Sequence, residues 1–422
     1  MAGSGLRIVV AADLYWPPTI MGGPITARRW SDRLAARGHE VTVLAPAVPG
    51  PAGQGDRSGA HPSGARVSRF AAWPLPHWRR DVRQQLRILP VHPRRDLGRA
   101  LDEACPDVVH LHFVTPFGMA ALAEARRRRI PTLGTNHALP EQALEVYGRF
   151  IRTALPPVFA LFERALWWHI VRFYNRCDTM TAPTATAIEI YRRRGITVPT
   201  ELVSNGTEVA RFAAPSGTKT RGDERREFLA RYGIPDDRRI VLYAGRSNPE
   251  KRIDVLLDAF SRLPASANAH LVMTGGPVSL SAAEVARRGL GDRVTLTGVL
   301  DLDDELPAAF RSAELLAHAS EVEAQGIALL EGMAAGLPVV AAAAGAVGET
   351  IADGETGLLV PVGDAAAMAS AIARLLGDPP LRQRLGEEAR RRAARHDVER
   401  SVDRIESLLV GLAGRRGDQG RA

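Results

Sequence analysis

Cysteine is almost missing from this chain: there are two in 422 residues, Cys105 and Cys177, far apart and with no CxxC pairing. That excludes a disulfide framework and a structural zinc site, and it reads as a reduced, cytoplasmic protein. Also missing is an unbroken apolar run of the length a bilayer requires. The most apolar long stretch, residues 327–347, is broken by Glu331 and punctuated by Gly332, Gly336 and Pro338. It reads as helix, turn and strand. No secretory signal is expected, because a strand begins almost at once with Leu6-Arg7-Ile8-Val9-Val10. Nor does any strand lead into a GxGxxG fingerprint with an acidic residue about 20 positions on, which argues against a nicotinamide-dependent oxidoreductase.

What is present is ordinary for a globular protein: 45% hydrophobic and 24% charged residues. At this length two domains of about 200 residues are expected, each with a sizeable core. The net charge is +8 and the sequence pI about 10.1. Such a balance suits nucleic acid, an anionic membrane surface or a phosphorylated substrate, and selects none of them. The arginine runs Arg126 to Arg129 and Arg192 to Arg194 fall where helices should end, where cations complement the macrodipole.

The pattern along the chain is strand, loop, helix, repeated. The strand from Arg7 to Ala12 runs into a loop ending at Gly22-Gly23. Pro24 suits the first helical position, the helix runs to Arg37, and Gly38 ends it before the strand Val41 to Leu44. Residues 46–65, rich in Pro, Gly, Ala and Ser, read as a flexible loop. The series resumes at Asp107 to His112, then a helix over Gly118 to Arg128 and a strand ending at Asn136-His137. A helical region with Trp167, Trp168, Phe173 and Tyr174 follows between about 141 and 176. The charge-rich stretch Ser216 to Arg226 reads as a linker. A second series then begins at Ile240 to Ala244 and closes in helices, the last over Val398 to Leu412. Two such runs predict an α/β protein of two doubly wound parallel-sheet domains, with ligands beyond the carboxyl ends of the strands in a central cleft.

Three segments carry candidate chemistry. In Gly245-Arg246-Ser247-Asn248-Pro249-Glu250-Lys251, directly after a strand, Arg246 and Lys251 can converge on one pyrophosphate as a planar fork and a point charge. The alternative is two solvated loop cations. In the segment 320–331, Glu323 and Glu331 flank Gly326. With Glu323 in a loop and Glu331 on a helix beginning near Ile327, both carboxylates can face the cleft, and Gly326 leaves the helix N-terminus open to a phosphate. Glu331 on an otherwise apolar helix would be costly without a purpose. The third is His137 at a strand end, expected to point into the cleft; a structural histidine is the alternative. His110 and His112 are read as alternating along their strand, with one facing inward as packing. Asp301-Leu302-Asp303-Asp304 is read as a helix cap and first turn rather than a metal motif.

The ordered set of these segments resembles the family 4 glycosyltransferases, retaining enzymes of the GT-B fold, over nearly the whole chain. Gly22-Gly23 before a helix, Arg37-Gly38-His39-Glu40-Val41, Val203-Ser204-Asn205-Gly206-Thr207 and the run Glu331 to Val340 belong to the same set. The resemblance implies two Rossmann-like domains facing a cleft: 1–210 for the acceptor, 211–395 for a nucleotide sugar, and 396–422 as a helix packing back on the first domain, then a disordered tail. It implies a UDP- or GDP-sugar donor, transfer to a hydroxyl with an α-linkage, no metal and no cofactor. Arg246 and Lys251 would neutralise the diphosphate, Glu323 would hold sugar hydroxyls, Glu331 the ribose, and Gly326 and Ile327 the phosphate end of the helix. Gly23 would admit the distal phosphate and acceptor, and His137 would lie near the anomeric centre. Common members carry Glu-Gly-Phe-Gly where this chain has Glu323-Ala324-Gln325-Gly326. That variant, with Thr135 to Glu141, is similar to members that glycosylate lipids at membranes. Residues 147–176, basic and Trp-rich, are then either a surface for an anionic membrane at the inner face of the plasma membrane or an internal packing face. A diacylglycerol-like lipid acceptor, a soluble acceptor and a catalytically silent nucleotide-sugar-binding protein stay open. No nucleic-acid partner is expected, and the oligomeric state is left open.

Overall fold

The computed structural model describes residues 5–15, 22–47, 59–60, 64–70, 72–74, 87–90, 93–142, 144, 152, 154–215, 217–276 and 282–419. They form two compact units. The first comprises residues 1–138, 157–205 and 398–422, and the second residues 139–156 and 206–397.

In the first unit the strand order is Thr200–Leu202, Thr179–Ala182, Thr132–Thr135, Val108–Leu111, Arg7–Ala11, Glu40–Pro46, Arg66–Phe70 and Gly59–Ala60. All neighbours are parallel except the last pair. The order reverses between Arg7–Ala11 and Val108–Leu111, so the loops leaving these two strands diverge there and open a crevice. The helix Val398–Gln419 lays Val398, Val402, Ile405, Leu409 and Leu412 into this unit's core beside Ala27, Trp30 and Leu34. That spacing is one apolar helical face. Along its rim Arg37 bonds Glu399 at 2.8 Å and Glu406 at 2.6 Å, while the His39 ring lies 2.8 Å from Glu406.

The second unit carries a six-stranded, wholly parallel sheet in the order Val294–Gly298, Ala269–Thr274, Arg239–Ala244, Leu315–His318, Val339–Ala342, Gly357–Val360. Its inner strands are buried on both faces and read as nearly continuous apolar runs, whereas the edge strand Val294–Gly298 is fully buried only at Val294. Val241, Tyr243, Leu271 and Met273 enter one core, and Ile240, Leu242, Val272 and Leu316 the other, with the period of two that a strand dictates. Here the order reverses between Arg239–Ala244 and Leu315–His318. The loops leaving those two strands are the Gly245–Lys251 and Ser320–Gly326 segments.

Several expectations need correcting. The stretch read as a linker is largely helical, Arg221–Arg231, started by a capping box in which Thr220 and Asp223 satisfy each other's backbone amides. The helix after the first strand begins at Gly22 rather than beyond Gly23. The second unit takes up the chain again at Gly206, and there Thr207 donates its amide to the His396 carbonyl at 2.9 Å. The last helix continues past Leu412 to Gln419. Of the loop expected at 46–65, residues 48–58 and 61–63 lie outside the described residues, as do 147–151 and 153 of the basic, Trp-rich segment and 420–422 of the tail.

Candidate functional site

In the second unit two backbones must touch to build the first loop. Gly245 (φ +151°) and Gly275 (φ +126°) follow adjacent strands, and a Cβ on Gly275 would lie 2.1 Å from the Gly245 carbonyl oxygen. Only glycine permits that approach. The Tyr243 hydroxyl reaches back to donate to the Arg246 carbonyl at 2.5 Å. The second loop is stapled to the first: Glu321 N and Ser320 Oγ both donate to the Glu250 carbonyl, at 2.9 and 3.1 Å. Glu323 is held from its other side by Ala346, whose amide donates to its carbonyl at 3.0 Å.

On this frame the structure joins two of the expected residues directly. Lys251 Nζ donates to Glu323 Oε1 at 2.5 Å, and His318 Nε2 donates to the same oxygen at 2.8 Å. Burial alone would push the Glu323 carboxyl up. The Lys251 ammonium and the His318 hydrogen bond outweigh it and hold the group well below the ordinary carboxylate range. Arg246 neighbours a different carboxylate. Its Nη2 lies 3.9 Å from Oε1 of the fully buried Glu250, which also accepts from Asn248 Nδ2 at 3.2 Å. Glu323 lies in the loop, and Glu331 is buried on the helix Ile327–Ala334. Gly326 caps that helix at φ +81°, where a Cβ would meet Leu329 at 2.7 Å, and Ile327 is its first residue.

The first unit gathers three histidines. His137 follows the strand Thr132–Thr135; its Nδ1 lies 2.7 Å from Asn205 Oδ1 and its Nε2 2.8 Å from His112 Nδ1. Both ring nitrogens are therefore engaged. Since the amide oxygen only accepts, Nδ1 of His137 carries the proton and Nε2 accepts from His112. His110 and His112 do not alternate across the sheet: two residues apart, they share a face, both are buried, and their rings lie 4.1 Å apart. Trp30 stacks on His110 at 6.1 Å, 14° from parallel, and also meets His137 at 5.7 Å. Gly23 belongs to this cluster, since a Cβ there would lie 3.1 Å from His137 Cβ and from the Phe113 ring.

Burial pushes His110 down to about 3, with His137 adding to it, and His112 well below its ordinary value. Burial also takes His137 down to about 4, against an upward pull from Asn205. The unfolded chain binds these protons near pH ~6.5 and the folded chain does not until much lower, so stability falls as pH drops through that window. Asp13, pushed up to about 8 by burial, has the opposite sign: it loses stability as pH rises toward 8. Three imidazoles outweigh one carboxyl on the acid side. The urea midpoint should therefore decline from about pH 6.5 to about pH 4, less steeply in His112→Phe. A flat profile in the wild type would contradict this.

Among the described residues no group of three or more His, Cys, Asp or Glu side chains is placed to hold a metal. In the acidic 301–304 segment, Asp301 Oδ1 accepts the amides of Asp303 and Asp304 at 2.9 and 3.1 Å, ahead of the helix Glu305–Arg311. Asp301 thus closes the turn, whereas Asp304, at the expected cap position, makes no side-chain cap hydrogen bond. Sequence reasoning missed His318 and Tyr243, and quoted Glu250 and Asn205 without a role. A polar residue closing the apolar strand Leu315–His318, just ahead of the Glu323 loop, was the available signal for the first.

Two family profiles match the chain: "Glycosyltransferase Family 4" over residues 21–211 and "Glycosyl transferases group 1" over residues 224–392. Along its length it is similar to a GDP-mannose-dependent alpha-mannosyltransferase of Mycobacterium tuberculosis, 29% identical over 98% of this chain and 99% of the relative. An alpha-D-kanosaminyltransferase of Streptomyces kanamyceticus is 36% identical over 44% of this chain and 50% of the relative. Among solved structures, sucrose-phosphate synthase from Thermosynechococcus elongatus shares the fold with a TM-score of 0.75 at 24% identity, covering 96% of this chain and 98% of that one. With its two Rossmann-like sheets, each reversing order at one point, the chain belongs to the family 4 glycosyltransferases of the GT-B fold and is a nucleotide-sugar-dependent transferase.

Proposed function

We propose that the protein transfers a hexose from GDP-mannose to a hydroxyl acceptor with retention, giving an α-linkage, and without a metal. The observation that carries this is the Lys251–Glu323 pair at the switch point of the second sheet, beside Arg246. Lys251 and Arg246 would take the diphosphate, Glu323 the sugar hydroxyls, Glu331 the ribose, and the Gly326–Ile327 helix start the phosphates. The bond from the anomeric carbon to the diphosphate breaks, and a bond to the acceptor oxygen forms on the same face. With both nitrogens of His137 engaged, the acceptor proton is assigned to an oxygen of the departing phosphate. His137 and Gly23 would shape the acceptor side. The mannosyltransferase likeness over the full length supports GDP-mannose; a UDP-sugar is the competing donor.

A lipid acceptor is favoured over a soluble one by the helix Pro156–Tyr174. Val158, Leu161, Phe162 and Trp168 are exposed on it, Leu161 by 70%, and Arg172 lies over the Trp168 ring at 5.5 Å. Apolar and basic side chains presented together suit an anionic bilayer surface, although no helix among the described residues is long and apolar enough to cross one. The test is a side-by-side thermal shift and sugar-release assay with GDP-mannose and UDP-glucose, plus sedimentation with anionic vesicles at low salt. Preferential stabilisation and turnover with GDP-mannose are expected; a preference for UDP-glucose reverses the donor assignment. Absence of vesicle binding moves the acceptor to the soluble class.

A further inference from the structure

His318 closes the strand Leu315–His318 and is 3% exposed. Its Nε2 must carry the proton, because the partner is a carboxylate that only accepts. Its Nδ1 is buried without a hydrogen-bond partner, so the ring's polar contact serves Glu323 alone. The ring plane is set by Tyr243, stacked at 6.4 Å and 14°, and Tyr243 in turn holds the Arg246 carbonyl. At the far end Gly345 (φ +54°) leaves room for the Glu323 backbone, whose carbonyl oxygen would lie 2.5 Å from a Cβ there. The backbone and one oxygen of Glu323 are thus fixed from three sides. Among the described residues Oε2 takes no hydrogen bond.

We infer that His318 is a positioning residue for donor-sugar recognition: it holds Glu323 Oε1 so that Oε2 is presented to a sugar hydroxyl. This rests on the function proposed above. Before a donor binds, Lys251 alone could orient the carboxylate. A diphosphate would draw that ammonium toward itself, since its charge density exceeds that of a carboxylate already shared with an imidazole. His318, on the strand behind, is the partner with no competing anion, so Glu323 keeps its orientation when the donor arrives. One donor on Oε1 is shared with substrate and the other is dedicated.

The experiment compares wild type, His318→Met, which cannot donate, and His318→Gln, whose amide nitrogen can reach the place of Nε2. Affinities for GDP and for GDP-mannose are measured for each, with sugar transfer alongside. His318→Met should lose about 10- to 100-fold in kcat/KM, as expected for a misoriented substrate-binding group, and should lose most of the preference for GDP-mannose over GDP. Its affinity for GDP itself should change less than about twofold, since the diphosphate cations remain. His318→Gln should recover most of the loss. With a donor analogue lacking the recognised hydroxyl, wild type and His318→Met should coincide. Wild-type-like selectivity in His318→Met overturns the inference, as does GDP affinity falling in step with activity, which would mean that the loop collapsed. A wild-type protein that binds neither GDP nor GDP-mannose overturns the proposed function and this inference with it.

Discussion

Replacing Lys251 by alanine should lower sugar transfer about 100- to 1000-fold, the usual cost of deleting one donor aimed at charge that develops in the transition state. Lys251 is 12% exposed and bonded to a carboxylate that is 7% exposed. Deleting it removes the cation proposed for the departing diphosphate and also leaves Glu323 buried with only His318 to compensate it. The carboxyl is held low chiefly by Lys251, so in the variant it should rise. The anionic form is then lost at a higher pH as the solution is acidified, and the acid limb of the rate profile moves to higher pH. Arginine should not restore the rate, because a planar fork cannot occupy the place of a point charge against a single oxygen. The check is GDP-mannose turnover against pH, with GDP affinity measured in parallel. Equal, background-level rates in wild type and variant would remove the enzyme reading and leave a binding protein.

The alternation of strands and helices was legible because parallel strands buried on both faces must be short apolar runs, and because glycines mark their exits. Val339 to Ala342 and the helix from Ile327 came directly from that rule. The loop placement of Glu323 and the helical placement of Glu331 were legible for the same reason. Pairings across long separations were not. Lys251 and Glu323 are 72 residues apart, and no local rule says that the ammonium bonds this carboxylate while Arg246 faces Glu250. The histidine pair was misread although the rule was at hand: residues two apart on a strand share a face. The linker reading failed differently. Charge density around Arg221 hid a Thr220-to-Asp223 capping box and the buried Phe228 and Leu229 beyond it.

That misread helix carries the second large effect. Glu224, on its first turn, receives Arg311 through two bonds, Nε to Oε2 at 2.6 Å and Nη2 to Oε1 at 2.8 Å. The two side chains are 8% and 1% exposed. Arg311 also donates to the Arg211 carbonyl at 2.6 Å, so one guanidinium ties the helices Arg221–Arg231, Glu305–Arg311 and Val209–Ala213 together. Removing the cation strips a buried carboxylate of both Arg311 hydrogen bonds and leaves only the fields of Arg221 and Lys219 to offset its desolvation. Arg311→Met should destabilise the second unit by about 3–5 kcal/mol, the cost of breaking a buried pair from one side. Replacing both partners by apolar residues of similar volume, Glu224→Leu with Arg311→Met, should return most of that loss, because neither charge is then buried. Urea unfolding followed by loss of GDP binding, which the proposed function assigns to this unit, reads it specifically. A single variant as stable as wild type, or a double variant no better than the single, would show that the pair holds less than its geometry implies. If the loss appears as expected, the charge-rich stretch after residue 216 is the clasp of the second unit and not a tether leading into it.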